Sequence, residues 1–145
     1  MPVITSDIAS ESLLKIGEIA IQSGLPTKTI RYYEEIGLLV PNVERSASGY
    51  RLFHTSVLNR LAFIKRAQAL GLSLQEIQTI LGVHDRGELP CDEVKQHIHS
   101  KLIAIAQQIT ALETLKEELQ GILCGWEEKP SSDRIAQTIC PNLQK

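Results

Sequence analysis

No run of apolar residues in this chain approaches the roughly 20 needed to cross a bilayer, so no membrane-spanning helix is expected. The opening stretch, residues 1–12, carries Asp7 and Glu11 and no cation, which fits neither a secretory signal nor a transit peptide. Cysteine is scarce, with three in 145 residues. An odd number in a chain without a secretory signal argues against a disulfide framework, and three scattered thiols fall short of the four clustered ones that an iron–sulfur centre takes. Also missing are a glycine-rich phosphate loop, a G-x-S-x-G nucleophile turn and an H-E-x-x-H helix, and the carboxylates fall mainly on helix surfaces, so an enzyme is not expected. Proline, glycine and charge are too sparse for disorder. With 43% hydrophobic residues the chain can build one compact domain plus an extension, a composition suited to a small cytoplasmic protein.

Charge is present but unevenly spread. The net charge of −2 conceals eight Lys/Arg against four Glu over residues 14–75, and seven Lys/Arg against eleven acids over residues 76–145. A basic lobe beside an acidic one is the footprint of a protein that touches phosphate with one half, although a solvated imbalance without function looks the same by itself.

The basic lobe also carries a pattern. Ile16, Ile19 and Ala20 give one short helix an apolar face, closed by Ser23-Gly24. A second helix is expected to start at Pro26, with Ile30 and Tyr33 inward. Two short helices around a glycine-containing turn make a helix-turn-helix, whose second helix enters the major groove. Thr27, Lys28, Thr29, Arg31 and Tyr32 would then face the duplex. After Leu38-Leu39-Val40-Pro41, a polar stretch runs to Ser48 and returns through Gly49-Tyr50-Arg51-Leu52-Phe53, as expected of a two-stranded wing. Arg45, Tyr50 and Arg51 lie where such a wing meets phosphates. From Ile16 to Phe53 the chain closely resembles the winged-helix domain of the MerR family of transcriptional regulators, matching its I-G-E-x-A, T-I-R-Y-Y-E-x-x-G-L and G-Y-R signatures.

Further along, Thr55 is placed to cap a helix with Val57, Leu58, Leu61, Ala62, Ile64 and Ala69 on its inward face, ending at Gly71. Ser73-Leu74-Gln75-Glu76 is a capping box opening a helix with Ile77, Ile80 and Leu81. These helices resemble the family's connection between DNA-binding and dimerisation regions; Lys65 and Arg66 are candidates to touch backbone phosphates from the side, although lone surface cations usually do nothing specific. Residues 83–91 read as a linker, bounded by glycines and Pro90. From Asp92 to Leu123, Leu102, Ile105, Ile109, Leu112, Leu119 and Leu123 recur at steps of three and four, with Lys116 interrupting. That is a heptad seam of about four repeats, enough for a partner helix. So small a body cannot bury the stripe, so an antiparallel coiled coil with a second copy is expected, as the resemblance also implies.

The cysteines stand at the ends of this helix. Cys91 precedes it, Cys124 follows it, and Cys140 lies in Ile139-Cys140-Pro141. A helix over residues 92–123 is about 48 Å long, so Cys91 cannot meet the other two of its own chain, but in an antiparallel dimer it meets those of the partner. A lone thiol is more often core packing than ligand. The metal-sensing branch of the MerR family, however, joins a Cys before the dimerisation helix to two Cys in a loop after the partner's helix. Cys91-Asp92-Glu93-Val94-Lys95 and Cys140-Pro141 resemble those two places. In that branch a Cys rather than a Ser at the first place goes with divalent or soft ions, and thiolates suit mercury, lead, cadmium or zinc. The match is not complete: the family's first loop Cys falls on Trp126, and the loop is longer by residues 127–133. Cys124 is therefore either a third ligand or a helix-end residue, with Trp126 capping the site. His97 and His99 form a rival set, but two apart on a helix they point to different faces, which leaves one of them as an occasional fourth ligand. A multidrug-sensing member would need a sizeable ligand domain after the long helix, where only about twenty residues follow.

The expected organisation is mainly helical. An arm (residues 1–13) leads into a winged helix-turn-helix with connecting helices (14–82), a linker (83–91), a dimerisation helix (92–123) and a short metal-binding effector loop (124–145). The resemblance implies a homodimer on double-stranded promoter DNA that represses without metal and, with it, distorts the DNA for RNA polymerase. The competing expectation is a coiled-coil protein that binds DNA architecturally and whose cysteines are inert.

Overall fold

The computed structural model describes residues 12–145, so all but the end of the expected N-terminal arm lies outside the described residues. The chain divides into two compact units, one ending at Ile98 and the other comprising His99–Lys145.

The first unit runs β1 (Leu13–Lys15), α1 (Ile16–Ser23), α2 (Thr27–Glu35), a 3-10 turn (Val40–Asn42), β2 (Val43–Arg45), β3 (Arg51–His54), α3 (Val57–Ala69), α4 (Leu74–Asp85) and the start of α5 (Cys91–Cys124). Gly24 closes α1 in the left-handed region, φ 74°, where its N–H reaches the Ala20 carbonyl at 3.0 Å. Pro26 stays extended as the cap, so α2 begins at Thr27, one residue later than expected. The wing hairpin turns at Gly49, φ 87°, a conformation a side chain would strain; Ser46 and Tyr50 close it with a 2.8 Å bond. The sheet has three antiparallel strands in the order β1-β3-β2, not the two of the expected wing. β1 adds Leu14 opposite Phe53; three residues are too few to show an alternating pattern in sequence.

One core gathers Ile19, Ile30, Leu38, Leu39, Phe53, Val57, Leu61, Ile64, Ile77 and Ile80, each nearly or wholly shielded from water. In α3 the inward stripe differs from expectation. Ala62 and Ala69 are exposed, whereas Arg60 and Ala67 are buried. Arg60 is tolerated inside because Asp85 accepts from it at 2.6 and 2.9 Å and the Leu38 carbonyl at 2.5 Å. α4 runs on to Asp85, into the expected linker. Ser56 rather than Thr55 stands at the N-cap position of α3, without a side-chain capping bond. The capping box of α4 forms as expected, with Ser73 Oγ accepting from Glu76 N–H at 3.1 Å and Glu76 Oε1 from Ser73 N–H at 3.0 Å. Near the start of α5, His97 stands between Glu76 (3.1 Å) and Glu93 (3.3 Å).

In the second unit, α5 continues to Cys124, followed by α6 (Ser132–Gln137). Both cysteines flanking the long helix belong to it rather than to the linker and the loop. At the start, the Val94 N–H reaches the Pro90 carbonyl at 3.0 Å, which adds Cys91 to the first turn. The segment expected as loop contains α6; Ser131 caps it, accepting from Arg134 N–H at 3.4 Å. Asn142, 7% exposed, pins the tail by accepting from the Glu127 N–H (2.7 Å) and donating to the Glu127 carbonyl (3.1 Å). Among the described residues no helix is long and apolar enough to cross a membrane.

Candidate nucleic-acid interface and the cysteine positions

The outward face of α2 follows from which residues the core takes. Ile30 and Tyr33 point in, and Gln68 of α3 accepts a 2.5 Å hydrogen bond from the Tyr33 hydroxyl. Burial, with the neighbouring Tyr32 adding to it, raises the Tyr33 phenol pKa above its ordinary value, so this tyrosine stays a neutral donor. Thr27, Lys28, Arg31 and Tyr32 are exposed along one face and Thr29 is half-buried at its edge. Such a face can offer hydrogen bonds and positive charge to base edges and phosphates.

The wing approaches α2 through its charges. Arg45 and Arg51 are cross-strand partners. Glu34 bridges them, at 3.4 Å from Arg45 and 3.3 Å from Arg51, and Glu35 reaches Arg51 at 3.3 Å. Between α2 and the wing lies a cleft of about 230 Å³ lined by Lys15, Ile16, Arg31, Arg45, Gly49, Tyr50 and Arg51. Four cations thus meet in a space open to solvent. Sequence reading missed Lys15, because β1 was invisible, and Glu34, because its partners become neighbours only through the hairpin register. Lys65 and Arg66 are exposed on α3.

Two family models match: the MerR HTH family regulatory protein model over residues 14–82 and the MerR DNA-binding model over residues 58–122. The mercuric resistance operon regulatory protein of Bacillus cereus is 40% identical over 130 residues, covering 90% of this chain and 94% of its own. This chain belongs to the MerR family of transcriptional regulators. Membership makes it a DNA-binding regulator and not an enzyme. Among solved structures, the lead(II) complex of PbrR691 from Ralstonia metallidurans CH34 is 30% identical with a TM-score of 0.72, covering 90% of this chain and 97% of its own. The MerR family regulator HiNmlR, which lacks the sensor domain and was solved on promoter DNA, is 25% identical with a TM-score of 0.53, covering 78% and 85%.

Within this MerR family chain the three thiols are free, Cys91 and Cys124 exposed and Cys140 half-buried. Cys91 opens α5 and Cys124 ends it. Cys140 lies past α6, where Gln144 Oε1 accepts from both the Ile139 N–H (2.7 Å) and the Cys140 N–H (2.9 Å), and Arg134 donates to the Pro141 carbonyl. Among the described residues no group of three or more His, Cys, Asp or Glu side chains gathers as a metal site. Trp126 is 41% exposed just beyond Cys124. His97 is engaged by two carboxylates and His99 is exposed. Sequence reading found the thiols but neither Gln144, which holds the Cys140 backbone from four residues away, nor Asn142, which ties the tail to Glu127 fifteen residues back.

Proposed function

We propose that this MerR family protein is a homodimeric regulator that responds to a thiophilic divalent metal ion, mercury, lead, cadmium or zinc, through a site shared between subunits. The observation that carries this reading is the placement of free thiols at both ends of one uninterrupted 34-residue helix whose apolar stripe lies open. Leu102, Ile105, Ile109, Leu112, Leu119 and Leu123 are each 48–70% exposed, more apolar surface in one line than a lone helix leaves to water. An antiparallel partner helix covers that stripe and brings Cys91 of one subunit to Cys140 of the other, with Cys124 the candidate third ligand.

The donor set fits a soft ion. Thiolates select mercury, lead, cadmium or zinc over hard cations, and the Gln144 bonds hold the Cys140 backbone in place beforehand. The mercury-resistance relative and the lead-bound structure support the same chemistry. On the promoter, Thr27, Lys28, Thr29, Arg31 and Tyr32 read the major groove, while Arg45, Tyr50 and Arg51 meet the backbone. Without metal the dimer represses; with it, the dimer distorts the DNA so that RNA polymerase engages both promoter elements, at a deformation cost of a few kcal/mol that the protein contacts offset.

Titrating the reduced protein with each of the four ions while recording thiolate charge-transfer absorption tests the metal response, and footprinting on the regulated promoter tests its consequence. A saturable band and a metal-altered footprint are expected. Absence of a band with all four ions leaves the architectural coiled-coil reading with inert cysteines.

A further inference from the structure

Like charges directly opposite each other on neighbouring strands repel, and the wing places Arg45 opposite Arg51 in register. Glu34, from the last turn of α2, lies between them with one carboxylate oxygen toward Arg45 Nη2 (3.4 Å) and the other toward Arg51 Nε (3.3 Å). The Glu34 side chain is 15% exposed and that of Arg51 20%, whereas Arg45 is 54% exposed. The carboxylate therefore backs the pair from the protein side while the Arg45 guanidinium stays reachable. Arg45 is steadied further by donating to the Gly49 carbonyl at 3.0 Å. Both arginines line the cleft that Lys15 and Arg31 also reach.

A carboxylate beside a phosphate-binding face opposes binding by charge alone. Its presence is explained if it supplies order. Arginine side chains lose much rotamer freedom when they engage a ligand, and freezing them beforehand removes that cost from binding. We propose that Glu34 is a positioning residue that holds Arg45 and Arg51 as a ready-made clamp for a backbone phosphodiester of DNA. The inference rests on DNA binding by the family and not on the metal response, so loss of the latter leaves it standing.

The test uses full-length protein and a fluorescent duplex that the wild type selects from a random-sequence pool. Charge alone predicts that Glu34→Gln tightens binding. The clamp predicts that it weakens binding about tenfold, the worth of one charge-assisted contact, and lowers the salt dependence by about one phosphate contact. Arg45→Gln together with Arg51→Gln should weaken binding at least as much, and Glu34→Gln on top of both should cost little more, because Glu34 then has neither arginine left to hold. If Glu34→Gln melts too early to assay, Glu34→Asp keeps the charge one methylene short and should bind with intermediate affinity. Unchanged or tighter binding by the Glu34 variant, an unaltered salt slope, or additive losses in the triple variant would overturn the proposal.

Discussion

Arg60 is 8% exposed, and inside the fold its charge is matched by Asp85, with bonds of 2.6 and 2.9 Å. Asp85→Asn keeps the shape but removes the countercharge and one of the two acceptors. Breaking a fully buried pair costs about 3–5 kcal/mol. Asp85 keeps a third of its side chain in water, and the Leu38 carbonyl still accepts from Arg60, so about 1.5–3 kcal/mol is the expected loss. For a chain of this size that is a fall in melting temperature of about 4–10 °C, measured by circular dichroism at equal protomer concentration because a dimer's stability depends on concentration. The pH dependence supplies a second check. Arg60's hydrogen bonds, then its charge and that of His84, hold the Asp85 carboxyl below its usual range, with burial opposing them. A depressed folded pKa means that the contribution is fully present above the unfolded value of about 4 and is lost as pH falls through the folded one. The gap between wild type and variant should therefore be constant from neutral pH to about pH 5 and close below about pH 4. Equal melting temperatures, or a gap that persists undiminished into strong acid, would refute the role assigned to this ion pair.

On DNA, Arg31→Ala should cost about 1–3 kcal/mol and relax sequence choice, whereas Arg51→Ala should weaken binding to all sequences and flatten the salt dependence, as competition binding at several salt concentrations will report. Replacing Ile105 and Ile109 together by Asp places unpaired charges in the α5 stripe; sedimentation should then show monomers, and a surviving dimer would put the interface elsewhere. Cys91→Ser and Cys140→Ser should each abolish the metal response while sparing DNA binding, since neither residue belongs to the basic lobe. A heterodimer of the two variants should bind one ion, at the site built from the two intact thiols, and none if the ligands come from a single chain. Cys124→Ser separates a three-thiolate site, which would lose the response, from a two-thiolate one, which would keep it.

Elements whose causes are local could be read from the order of residues. Ile30 and Tyr33 at helical spacing, the Ser73–Glu76 capping box and the glycine-led turn at Gly49 each specify their structure through neighbours within a few residues, so α2, α4 and the hairpin were legible before any fold was known. The exposed stripe of α5 was legible for the same reason: a three-and-four period is a property of the string. The rest depends on residues that meet only in the folded chain. β1 exists because β3 offers it an edge, not because three residues prefer a strand. Arg60 is a core residue because Asp85, twenty-five positions away, neutralises it, and no pattern in α3 announces that partner. Arg45 and Arg51 looked like free phosphate ligands in the sequence; the register of β2 on β3 and the last turn of α2 bring Glu34 to them and turn them into a held pair. Likewise Asn142 reads as an ordinary polar residue until the chain folds back and its amide finds the backbone of Glu127. Hydrophobic period and turn chemistry are written within a few residues, whereas electrostatic and hydrogen-bond partners are chosen by proximity in space.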